Sequence, residues 1–284
     1  MKKNSANVPI MPIEERTPVQ LPGAFQFDRV SRDGRSYRIF VYVPPFVAPA
    51  QGFPILYMLD GNAAFATAVQ AVALQMRRAE VTGVPASIIV GIGYPTEATF
   101  DLARRRFDYT PAPAGAAPDA ESGGADLFLD FLEVQLKPTV EAMVPVDRQR
   151  QALFGHSFGG LLALWALFTR PGSFLSYVAA SPSIWWKNRC VLRREEAFAE
   201  QMKRGMTDAR LLVTVGSLER FQSGAGSNSE AKACMVEDAS SLVARLASLG
   251  YDRLRAEFVE FADENHASVI PAAISRSVRF AWSK

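Results

Sequence analysis

The sequence predicts an α/β fold: a mostly parallel central sheet flanked by helices, with an antiparallel hairpin at one edge. Three observations carry this. From Pro54 onward, short apolar runs that suit strands alternate with longer helical patterns. The runs are continuously apolar rather than alternating, as strands covered on both faces are. Ahead of them, Asp33-Gly34 separates two segments rich in β-branched and aromatic residues, a strong hairpin signal. A length of 284 residues suits one catalytic-sized domain of this class.

Taken in order, residues 1–23 hold four prolines and no period, and read as an extended arm ahead of a single domain over 24–284. Residues 25–31 and 36–43 form the hairpin. Residues 54–59 are a buried strand, ended by Asp60-Gly61-Asn62, and 65–81 a helix. Residues 87–92 are the next strand. An irregular insertion follows at about 95–124, its second half dense in Ala, Pro and Gly; a loop of that length is usually functional or disordered. Residues 126–143 are an amphipathic helix that Pro138 should kink or divide. Strands at 151–154, 176–180, 211–215 and 255–261 are separated by helices at 161–169, 188–204 and 230–249. The last strand leads through a loop to His266 and a closing helix over 267–282.

Composition narrows the function. Hydrophobic residues make up 49% and charged residues 21%, so there is ample apolar surface for a core. With 31 Lys and Arg against 29 Asp and Glu, the net charge of +2 is too balanced for a general nucleic-acid binder. No run approaches about 18 uninterrupted apolar residues, so no membrane span is expected. Two cysteines, Cys190 and Cys234, cannot build a disulfide framework, and two histidines leave little for a zinc site; neither metal nor cofactor is expected. The start, Met1-Lys2-Lys3, is basic with no apolar run behind it. That points to the cytoplasm, or to the periplasm if a leader has been trimmed.

Gly155-His156-Ser157-Phe158-Gly159 is a GxSxG string, which in a sharp strand-to-helix turn exposes a strained serine as nucleophile. The string recurs by chance, but here a β run ends at it and an apolar helix begins inside it. A serine hydroxyl needs a base to take its proton, near neutral pH normally a histidine. The His156 side chain should diverge from that of its neighbour Ser157, which leaves His266. An acid must orient that histidine, in the chain order Ser, acid, His. Glu219, just past the strand at 211–215, fits; Asp238 and Asp263 are in reserve, and a Ser–His dyad remains open. The oxyanion needs two N–H donors: Phe158 for one, and Asn62, or Gly61 in a tighter turn, for the other. Asp60-Gly61-Asn62 could equally just cap the next helix. Arg104-Arg105-Arg106 make an anion site in the insertion, or a solvated surface. Trp185-Trp186, followed by Lys187 and Arg189, are core or an aromatic wall for a ring-bearing substrate.

Five strings stand in one order: Ile55 through Ala63, Phe100-Asp101-Leu102 with Arg105, Asp108-Tyr109-Thr110-Pro111, Gly155 through Gly160, and Ala180-Ser181-Pro182-Ser183. Together they resemble the esterase-D-like branch of the α/β-hydrolases, and within it the enterobactin and salmochelin trilactone esterases, from about Phe25 to the C-terminus. The resemblance implies a metal-independent serine esterase cleaving, through an acyl-enzyme, the ester bonds of a cyclic tri-serine backbone bearing three catechols, free or iron-loaded. It implies Ser157 as nucleophile, His266 as base and Arg105 as a substrate contact; by their charge and rings, Arg104, Arg106, Trp185, Trp186 and Lys187 are expected as further contacts. The stretch 112–124 has no match in the family pattern. Rival readings are a general carboxylesterase or acyltransferase on the same scaffold, and a siderophore-binding protein with an inactive elbow.

Overall fold

The computed structural model describes residue 17 and residues 19–112, 115, 117–205, 207–221 and 235–283. Most of the arm expected over 1–23 lies outside them, as do Cys234 and the start of the helix expected from 230. The strands are β1 (Ala24–Val30), β2 (Ser36–Tyr42), β3 (Phe53–Leu59), β4 (Ile88–Gly93), β5 (Val146–His156), β6 (Ser176–Ala180), β7 (Ala209–Gly216) and β8 (Leu254–Phe261). They form one sheet in the order β1-β2-β4-β3-β5-β6-β7-β8. β1–β2 and β2–β4 pair antiparallel, and every later pair is parallel. This is the α/β-hydrolase architecture.

The pleat divides the core into two layers. On β3, Ile55, Tyr57 and Leu59 join one cluster while Leu56 and Met58 join the other. Helices α1 (Gly61–Gln75) and, late in the chain, Val269–Phe280 cover the second face through Phe65, Ala68, Val72, Ile274 and Val278. The first face is covered chiefly by helices Ala125–Asp130, Phe158–Thr169 and Met235–Ser248. A strand buried on both faces favours apolar residues along its whole length, which is why β3 and β4 read as unbroken apolar runs. No helix among the described residues is long and apolar enough to cross a membrane.

Three local features differ from the sequence reading. The insertion contains a helix, α2 (Leu102–Tyr109). The Asp101 side chain caps it by accepting from the Arg104 amide at 3.0 Å, and Thr110, extended ahead of Pro111, ends it. The next helical run, α3 (Ala125–Asp130) and α4 (Lys137–Met143), is continuous through a π-turn, Phe131–Leu136. The π-turn shifts the hydrogen-bond ladder just before Pro138, which has no N–H to continue it. The helix expected over 188–204 begins only at Glu195; before it, Lys187, Asn188 and Arg189 all take positive φ (40°, 53° and 55°) and break the chain path.

Candidate active site

The candidate residues come from the carboxyl ends of four parallel strands, where open α/β sheets place their ligand sites. β3 delivers Asp60-Gly61-Asn62, β5 delivers Ser157, β7 leads into the turn Ser217–Phe221 that carries Glu219, and β8 leads to His266. Helix α5 (Phe158–Thr169) starts directly after Ser157, whose φ of 61° and ψ of −115° are strained for a residue with a Cβ. The elbow is tight enough to demand glycine. A Cβ on Gly155 would lie 2.1 Å from the Gly159 carbonyl oxygen, and one on Gly160 2.8 Å from that of Ala180.

Three side chains then line up. His266 Nε2 lies 3.1 Å from Ser157 Oγ, and His266 Nδ1 lies 2.7 Å from Glu219 Oε2. Glu219 is fully buried, and its other oxygen accepts from the Gly216 amide at 2.7 Å and from Ser181 Oγ at 2.6 Å. Burial pushes the Glu219 carboxyl up, but the hydrogen bonds from His266, Ser181 and Gly216 outweigh it and hold the group below its ordinary value. The reserve carboxylates lie elsewhere: Asp238 is bound by Arg189 Nε at 2.9 Å, and Asp263 meets Ser217 through its backbone. A hydroxyl, an imidazole and an ionised carboxylate in this order can move a proton off the serine and stabilise the imidazolium that forms.

His156 packs on His266, the ring centroids 4.5 Å apart. Burial, then the nearby His266 and Arg105 charges, push it down to about 3, so it stays neutral. Its Nε2 has no partner among the described residues.

The amide of Phe158 is at the first position of α5, and those of Gly61 and Asn62 open α1, so none is used by its own helix ladder. The Asn62 side chain fixes the loop after β4, donating to the Tyr94 and Thr96 carbonyls at 3.1 and 3.0 Å and accepting from the Tyr94 amide.

The three arginines separate. Arg105, 7% exposed, donates Nε and Nη2 to the two oxygens of Asp60 and reaches the His156 carbonyl. Arg104 donates to the Ser36 carbonyl and to Asp108 and lies over the Tyr37 and Tyr94 rings. Arg106, with 47% of its side chain exposed, lies over the Trp186 ring and meets Glu121. Beside the elbow, Phe158 contacts Trp186 edge-on at 5.1 Å and Trp185 at 6.1 Å. Lys187 donates to Ser122 at 3.0 Å and tethers the insertion to this aromatic wall. Two hydroxyls went unassigned in the sequence reading: Ser181, on Glu219, and Ser183, whose Oγ is 3.3 Å from Ser157 Oγ. Both lie in the Ala180–Ser183 string, but no local pattern says where a loop serine points. Among the described residues no group of three or more His, Cys, Asp or Glu side chains is placed to hold a metal ion.

This fold, with a strained serine at the elbow after its fifth strand, defines a serine hydrolase of the α/β-hydrolase class. Residues 31–260 match the family model described as "Putative esterase", and the chain belongs to that esterase family. It is 39% identical over 256 residues to the ferri-bacillibactin esterase BesA of Bacillus subtilis, covering 88% of this chain and 86% of that one. It is 40% identical over 280 residues to the siderophore triacetylfusarinine C esterase of Aspergillus fumigatus, covering 92% and 94%. The crystal structure of BES protein from Bacillus cereus superposes with a TM-score of 0.86 at 38% identity, covering 95% of this chain and all of that one.

Proposed function

We propose that this esterase hydrolyses the ester bonds of a catecholate siderophore trilactone, free or ferric, through an acyl-enzyme on Ser157. The observation that carries the reading is the surface next to Ser157: Phe158 and Trp185, half-buried and backed by the buried Trp186, form an aromatic wall with the Arg106 guanidinium and the Lys187 ammonium at its edge. Catechol rings suit the wall, and the −3 charge of a ferric tris-catecholate suits the cations. The B. subtilis relative, named for ferri-bacillibactin, supports the same substrate class.

Ser157 attacks the ester carbonyl as His266 takes its proton, and Glu219 holds the imidazole with Nδ1 protonated and stabilises its positive charge. The amide of Phe158 and that of Asn62, or of Gly61, receive the oxyanion. His266 returns the proton to the departing serine hydroxyl of the trilactone. Water then takes the alcohol's place, is deprotonated by His266 and releases the acid. Arg105 acts from behind: paired with Asp60 and bonded to the His156 carbonyl, it braces the oxyanion loop against the elbow. The cytoplasm is the proposed compartment; fractionation of the native cell checks it.

The test is a substrate panel read by mass spectrometry: ferric and iron-free enterobactin, triacetylfusarinine C and short p-nitrophenyl esters. The expected result is a higher kcat/KM on the catecholate trilactones, with products heavier by one water per bond cut. Preference for triacetylfusarinine C would shift the substrate to another siderophore class. Preference for the p-nitrophenyl esters would leave a general carboxylesterase.

A further inference from the structure

We propose that Ser183 is a further catalytic residue, whose hydroxyl donates a hydrogen bond to Ser157 Oγ and stabilises the negative charge that develops there. The inference rests on Ser157 being the nucleophile. It follows from counting donors along the chain of contacts. Glu219, held ionised, can only accept, so His266 Nδ1 carries a proton toward Glu219 Oε2 at 2.7 Å. In the neutral ring Nε2 is then an acceptor, and Ser157 must direct its single proton there, across 3.1 Å. Ser157 Oγ has no second proton for Ser183. The 3.3 Å contact between the two hydroxyls can therefore exist only with Ser183 as donor and Ser157 as acceptor.

The backbone holds Ser183 in place. Its amide donates to the Ser157 carbonyl at 3.1 Å, the Ser157 amide donates to the Ala180 carbonyl at 2.9 Å, and the Ser181 amide donates to Thr214 at 2.7 Å. Ser181 takes a positive φ of 43°, and the turn places one hydroxyl at each end of the relay, Ser181 on the acid and Ser183 on the nucleophile. Ser183 is 1% exposed, so water does not readily replace its hydroxyl.

A separation of 3.3 Å is long for two neutral hydroxyls. The contact is weak in the resting enzyme and strengthens as Ser157 loses its proton. An interaction stronger in the transition state than in the ground state is what lowers a barrier. In deacylation the same hydroxyl donates to Ser157 Oγ as that atom leaves the acyl group.

The test is the rate at which a fluorophosphonate probe labels the wild type, Ser183→Ala, the near-isosteric Ser183→Cys, and Ser157→Ala, with folding followed by thermal unfolding. Labelling should depend on Ser157 and fall about 10- to 100-fold in each folded Ser183 variant, the span of one hydrogen bond to a charged group. The kcat on p-nitrophenyl acetate should fall by a similar factor with KM unchanged, a split that a packing role alone would not produce. If Ser183→Ala does not fold, Ser183→Cys carries the test, since a thiol is a poor donor. Labelling of either folded variant at the wild-type rate overturns the role of Ser183. A wild type that the probe does not label overturns the nucleophile assignment itself, and Ser183 with it.

Discussion

Arg105 and Asp60 form a two-pronged ion pair at 2.8 and 2.9 Å inside the protein, turning the middle of three consecutive arginines away from solvent. The pair links α2, which carries Arg105, to the loop after β3 that carries Gly61 and Asn62. A charged pair removed from water is costly to break, because the survivor stays buried without compensation.

Arg105→Ala should therefore destabilise the protein by about 3–5 kcal/mol. It should reduce activity on ferric enterobactin and on a neutral p-nitrophenyl ester alike. Urea unfolding and paired kcat/KM measurements check this. Normal stability with a loss confined to the ferric substrate would instead put Arg105 in contact with substrate.

Arg106 is the exposed member of the run. Arg106→Ala should raise KM for the ferric trilactone about two- to fivefold, since an exposed charge contact contributes roughly 0.5–1 kcal/mol. The neutral ester should be unaffected. Added salt should weaken binding of the ferric substrate to the wild type more than to the variant. Equal salt dependence in the two proteins would remove Arg106 from substrate recognition.

Ser157 and His266 should behave as one proton-transfer unit. Ser157→Ala and His266→Ala are each expected to lower kcat on the order of 10⁶-fold, with the double variant little worse. Additive losses in that cycle would mean that the two side chains act separately.

Glu219→Gln should lower kcat on the order of 10³- to 10⁴-fold with folding intact, because an amide can hold His266 in the wrong tautomer. Asp238→Asn should have a mild effect, since Asp238 is bound to Arg189. A mild Glu219→Gln would make the site a Ser–His dyad.

His156 should make the protein acid-sensitive. The unfolded chain binds a proton at this residue below pH ~6.5, whereas the folded protein, with His156 pushed down to about 3, does not until much lower pH. Its contribution is complete above pH ~6.5 and lost as pH falls toward 3, by at most about 1.4 kcal/mol per pH unit. His156→Gln should flatten that part of the stability profile between pH 7 and pH 4, measured by urea unfolding. An unchanged slope would mean that other groups dominate acid unfolding.

The sequence by itself determined the α/β class, because continuous apolar strands alternating with helices bury both faces of a sheet, and that pattern is local. It also singled out Ser157, whose elbow needs Gly155 and Gly160 as its own neighbours. It narrowed the histidine to His266 by elimination and favoured Glu219, just past a strand, while leaving Asp238, Asp263 and a Ser–His dyad open. The tertiary structure alone decided everything that depends on direction. On a helix, consecutive residues point about 100° apart. Arg104, Arg105 and Arg106 thus face β2, Asp60 and Trp186 respectively, and no composition argument separates them. The same holds for Ser181 and Ser183, whose partners lie 38 and 26 residues away in the chain. The left-handed residues 187–189 have neither Gly nor Pro to announce them; Lys187 and Arg189 are held by Ser122 and Asp238, side chains distant in sequence. A serine's type says that it can donate and accept. Only the packed fold says to what, because the groups that satisfy it come together after the chain has closed.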